Sequence, residues 1–92
     1  MPPTPESEHL SGRHRDTLRQ IFEHPVSHNI EWHAVVSLLQ AVGTATPRHD
    51  GKLEVSVGGE QAFIEPPAGK DVGAQTVVDL RRMLAAAGYH PT

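Results

Sequence analysis

Apolar residues recur along this chain with two different periods, and the switch between them separates helices from strands. Around Ser11 to Glu23 the period is helical, with Leu10, His14, Leu18, Ile21 and Phe22 on one side. Asp16 and Arg19 lie three apart on the other face and can pair. His24-Pro25 should end this helix, because a residue before proline avoids helical backbone. A second helix follows, with Asn29 as its expected N-cap and Glu31 in its first turn, where the helix dipole favours a carboxylate. Trp32, Val35, Val36, Leu39 and Val42 form one broad stripe, and Gly43 supplies the stop.

Beyond Gly43 the period drops to two. Lys52 to Val57 alternates strictly, with Leu53, Val55 and Val57 on one face. Asp50-Gly51 is a strong hairpin signal and predicts a two-residue type I′ turn. Thr44 to His49 is then the partner strand, demoted to an edge by Pro47. Gly58-Gly59 marks a second tight turn, and Gln61 to Glu65 a third strand ended by Pro66-Pro67. Residues 68–73 read as a polar loop. Residues 74–87 read as a last helix, with Val77, Leu80, Met83, Leu84 and Ala87 inward, Gly88 as its left-handed cap and Tyr89 folding back. The predicted fold class is α+β: a three-stranded antiparallel sheet with helices packed on one face and the other face wet.

Composition narrows the chemistry. With 92 residues, 37% apolar and four aromatic positions, this is one domain with a small core. Residues 1–9 carry three prolines and no large apolar residue after Met1, which suggests an extended arm. A net charge of −3 excludes a strongly basic, sequence-blind nucleic-acid binder, though not a local basic patch. The absence of cysteine excludes a disulfide framework and a thiolate metal site. No apolar run is long enough for a membrane span, and the N-terminus lacks a secretory pattern, so a cytoplasmic protein with no membrane partner is expected. Seven histidines are present, but Pro25 interrupts the His24, His28, His33 set, so neither a metal nor another cofactor is expected.

Several short motifs carry a family resemblance. They are Asn29-Ile30-Glu31-Trp32 at a helix start, Leu38-Leu39-Gln40-Ala41-Val42-Gly43 at its end, and Gly51-Lys52-Leu53-Glu54-Val55 in a strand. Phe63-Ile64-Glu65-Pro66-Pro67 closes the next strand. Val77-Val78-Asp79-Leu80-Arg81-Arg82-Met83-Leu84 with Ala87-Gly88 completes the set. Together, residues 29–88 resemble the HicA-type toxins, small mRNA interferases of toxin–antitoxin systems. The resemblance implies an α-β-β-β-α domain over residues 29–90, like a double-stranded-RNA-binding domain. Residues 10–28 would add an N-terminal helix and connector. It also implies mRNA and a HicB-type antitoxin as partners.

Where the family places its catalytic histidine, early in the second strand, this chain has Lys52, and the Pro66-Pro67 stretch lacks the family's second histidine. Proton transfer near neutral pH suits histidine, whereas lysine stays charged unless buried. The resemblance therefore implies an endoribonuclease whose activity is weak or lost. A two-residue turn would set His49 opposite Lys52, making His49 a candidate base and Lys52 a phosphate holder. Arg48, Lys52, Lys70, Arg81 and Arg82 could form one RNA-binding basic edge, with Glu54, Glu60, Glu65 and Asp71 acting against it. The apolar side of the first helix, Leu18, Ile21 and Phe22, either extends the core or docks a partner. The alternative to an RNA-directed domain is a non-catalytic protein-interaction module.

Overall fold

The computed structural model describes residues 11–26 and 29–90. The predicted arm, Leu10 and His28 lie outside them. Three helices, α1 (Gly12–Ile21), α2 (Trp32–Val42) and α3 (Ala74–Ala86), accompany three strands, β1 (Thr44–Pro47), β2 (Leu53–Val57) and β3 (Glu60–Ile64). The strands form one antiparallel sheet in the order β1-β2-β3.

Alternation in β2 decides which side of the sheet is covered. Leu53, Val55 and Val57 are buried and face the helices, joined by Ile64 of β3. α2 lies over β1 and β2, and α3 over β3. The opposite face, with Thr44, Thr46, Glu54, Gln61 and Phe63, is left open. α1 packs mainly on α2 and α3. Its Leu18 and Ile21 are fully enclosed in the same core as Val35, Leu38, Leu80 and Leu84, so its apolar side extends the core. Ser11 caps α1, its side chain accepting from the His14 N–H, and the His14 ring meets the Ser37 hydroxyl at 2.8 Å.

Two expected details are corrected at the starts of α2 and α3. The N-cap of α2 is Glu31, not Asn29, and no side chain caps it. In place of a cap, the Trp32 N–H donates to the Lys70 carbonyl at 2.7 Å, and the Val72 N–H to the Ile30 carbonyl at 2.9 Å. This short bridge, Glu31 opposite Asp71, ties the lead-ins of the two helices together. It also buries Ile30 and Val72, so the stretch 68–73 is not wholly polar loop. The end of α3 follows expectation. Gly88 has φ +94°, Tyr89 N–H reaches the Leu84 carbonyl and Gly88 N–H the Ala85 carbonyl, a Schellman arrangement.

Gly43, at the junction of α2 and β1, lies hard against β2. A Cβ there would overlap the Ser56 carbonyl oxygen. Gly43→Ala should therefore destabilise the domain by about 1–3 kcal/mol, as overpacking does. Gly12→Ala, which meets open space in α1, should be neutral or gain up to about 1 kcal/mol. Urea midpoints of the two variants check both.

Candidate nucleic-acid interface

The β1–β2 hairpin organises the open face. Its turn is not the two-residue type I′ turn expected from Asp50-Gly51. Pro47 pairs with Leu53, and the Arg48 N–H donates to the Lys52 carbonyl at 2.8 Å, which leaves three residues in the loop. The Gly51 N–H closes back on the Arg48 carbonyl, and Gly51 takes φ +91°. This is a type I turn followed by a left-handed glycine, the common three-residue hairpin. The extra residue moves His49 into the turn and sets Arg48, not His49, opposite Lys52. The paired His49 and Lys52 side chains expected from the sequence are therefore not formed. No histidine stands beside Lys52 on its strand or directly across from it.

Asp50 stabilises the turn by accepting the Lys52 N–H at 3.1 Å. That hydrogen bond, with the Arg48 guanidinium beside it, holds the carboxyl below its ordinary value of 3.8. A depressed carboxylate contributes stability above its unfolded pKa and loses it as pH falls through the folded one. Carboxyl-carbon NMR should thus place the Asp50 midpoint below 3.8. Arg48→Ala should move it only part of the way back, because the Lys52 N–H remains.

Arg48 is the centre of the exposed face. Its guanidinium reaches Asp50 at 3.5 Å and Glu54 at 3.3 Å, and lies 5.2 Å from the centre of the Phe63 ring. Gln61 donates to the other oxygen of Glu54 at 3.0 Å. Phe63 is 54% exposed, the one large apolar side chain that is exposed among the described residues. The guanidinium, held by its hydrogen bonds, lies over the ring, and the exposed pair forms a surface on which a flat π-system can stack. Phe63 was legible, though not singled out: Gln61, Phe63 and Glu65 share one face by alternation, so an aromatic ring there had to lie among polar groups.

The five basic residues do not form one edge. Arg48 and Lys52 stand together on the hairpin. Lys70 lies in the lead-in to α3, its carbonyl engaged by Trp32. Arg82 is exposed on α3, lining a shallow cleft with Glu60, Gln61 and Asp79. Arg81 turns to the helix side, where its guanidinium donates to the carbonyls of Ile21 and Glu23 at 3.1 and 2.8 Å. It satisfies the C-terminal end of α1 and fastens it to α3. Arg81→Ala should cost about 1.5–3 kcal/mol, the range for charge-assisted hydrogen bonds, by thermal or urea unfolding.

Lys52 also borders two hollows. One of about 240 Å³ is almost wholly apolar, with Trp32, Val36, Pro47 and Leu53 in its wall. The other, about 330 Å³, runs between β3 and α3 past Phe63, Glu65, Thr76 and Asp79. Trp32 is only partly buried, at the core's rim. No group of three or more metal-ligating side chains is found among the described residues, and none of their helices is long and apolar enough to cross a membrane. Set against protein-family models, curated proteins and solved structures, the chain matches none.

Proposed function

We propose that this protein binds single-stranded RNA on its open sheet face and does not cut it, as a HicA-like domain without the interferase's proton shuttle. The observation that carries this reading is the Arg48–Phe63 pair, an exposed ring with a guanidinium over it on an otherwise polar sheet face. Bases stack on such rings irrespective of sequence. Lys52 sits across the hairpin from Arg48 and adds a phosphate-binding cation. The helix-strand-strand-strand-helix order from Trp32 to Ala86 is compatible with the double-stranded-RNA-binding-like fold that the resemblance implies. Cleavage through the 2′-hydroxyl needs a group that exchanges protons near neutral pH. At the position where the resemblance expects that group stands Lys52, an exposed ammonium suited to holding a phosphate.

A second reading has its own observation. Asp50, Glu54 and Glu65 surround the two cations, and a local acidic surplus suits a protein partner better than a phosphate backbone. A HicB-type antitoxin would belong to this reading.

Fluorescence anisotropy with a labelled RNA oligomer tests the proposal. Wild type should bind, with affinity that weakens as salt rises. Phe63→Ala should weaken binding by about 5- to 150-fold, the cost of about 1–3 kcal/mol for one lost base stack. The RNA should remain full length on a denaturing gel. An absence of binding at low salt would favour the protein-interaction reading. Cleavage that is lost in His49→Ala would overturn the non-catalytic one.

A further inference from the structure

The two edges of the sheet are not equivalent. On β1, Pro47 faces outward and has no N–H, which blunts that edge. On β3, the two-residue turn at Gly58-Gly59 closes on Val57 opposite Glu60. Such a closing pair exchanges both backbone bonds, so Glu60, Ala62 and Ile64 turn their backbone groups to β2. Gln61 and Phe63 present N–H and C=O to the outside, and no further strand covers them among the described residues. Beside this edge the surface is hollowed. The cleft of about 330 Å³ passes Ile64, Glu65 and Thr76, and a second of about 190 Å³ passes Glu60, Arg82 and Met83. Ala62 and Asp79 line both, so the two form one groove between β3 and α3.

We propose that this groove takes an extended segment of a protein partner, added antiparallel to β3 as a fourth strand, with a lysine or arginine at its centre. The segment's residues opposite Gln61 and Phe63 satisfy the outward backbone groups of both. The residue between them stands opposite Ala62 and projects to the helix side, as Ala62 itself does through its pairing with buried Val55. There it meets the small Ala62 side chain, the wall formed by Met83 and the exposed carboxylate of Asp79. Charge decides what that residue is. Glu60 and Arg82 offset each other at one end of the groove, and Lys52 and Glu65 at the other, which leaves Asp79 as the charge of the middle. The Gln75 amide donates to Asp79 Oδ1 at 3.1 Å, which steadies the carboxylate and leaves Oδ2 to receive a cation. A long basic side chain can lay its methylenes along Ala62 and Met83 and set its charge on Asp79. A second copy of this chain does not fit the same edge. Paired strands lie about 4.8 Å apart, and two α3 helices lying over two such strands would come closer than the about 8–10 Å at which helices pack. The occupant is therefore a strand with no helix behind it. The inference does not rest on the RNA-binding reading, which uses side chains of the open face.

The test is an NMR titration of the isotope-labelled full chain with a short, end-blocked peptide of alternating threonine and valine carrying arginine at its centre. The Gln61 and Phe63 amides should shift and gain protection from solvent exchange as the peptide is added. Asp79→Lys, at an exposed position, should weaken binding of this peptide by at least about tenfold and strengthen binding of the same peptide with glutamate at its centre. N-methylation of the peptide residues that face Gln61 and Phe63 should abolish binding, because it removes the donors of the added strand. Amides of Gln61 and Phe63 that neither shift nor gain protection at millimolar peptide, or binding that survives N-methylation, overturn the proposal. Protection of these amides that grows with protein concentration in the absence of peptide would give the edge to a second copy and overturn it as well.

Discussion

The central strand β2 has hydrogen-bonded neighbours on both edges and a strict alternation of side chains, and that sidedness governs the rest of the molecule. Because Leu53, Val55 and Val57 must leave water, α2 and α3 have only one face of the sheet to occupy. Because Glu54 and Ser56 point the other way, the opposite face stays polar. A slip of one residue would exchange the two sets. Two features guard against that slip. Gly43 lets the end of α2 lie against the Ser56 carbonyl, where any side chain would collide. The turn at Gly58-Gly59 fixes β3, with Gly58 in the left-handed region at φ +61°.

Elements with a long, uniform period were readable from the chain. The stripe of α2, the alternation of β2 and the Gly88 stop of α3 each involve several residues that agree with one another. What was not readable depends on a single residue or on a partner far along the chain. Asp50-Gly51 fits two hairpin turns, and the choice between a two- and a three-residue loop moves His49 out of the site. The bridge of Glu31 to Asp71 buries one apolar residue in each of two short segments, Ile30 and Val72, so it leaves no periodic trace. Asn29 lost the capping role because backbone groups from the lead-in of α3 already served the start of α2. Arg81 and Arg82 are adjacent and chemically alike, yet helical rotation sends one to the carbonyls of α1 and the other to solvent.

The corrected turn bears directly on chemistry. With Arg48 opposite Lys52, the hairpin presents two cations and no directly opposed proton shuttle. The carboxylates of Asp50 and Glu54 orient Arg48 and also offset its charge. A guanidinium held in this way contributes shape and stacking more than net attraction. Such a surface suits recognition of a flat group better than capture of a phosphate backbone. That is why the exposed Phe63 ring, rather than the count of basic residues, is the feature that directs the functional reading toward RNA bases.

The same accounting of backbone groups explains how so small a domain can afford an open sheet. The described residues cover one face of the sheet and leave the other open. Helices take one face, and Pro47 removes a donor from one edge. What remains is one polar face and one intact edge, and they meet at Phe63, whose ring lies on the face and whose backbone lies on the edge. Phe63, the one large apolar side chain exposed among the described residues, thus stands where the sheet's two open boundaries meet.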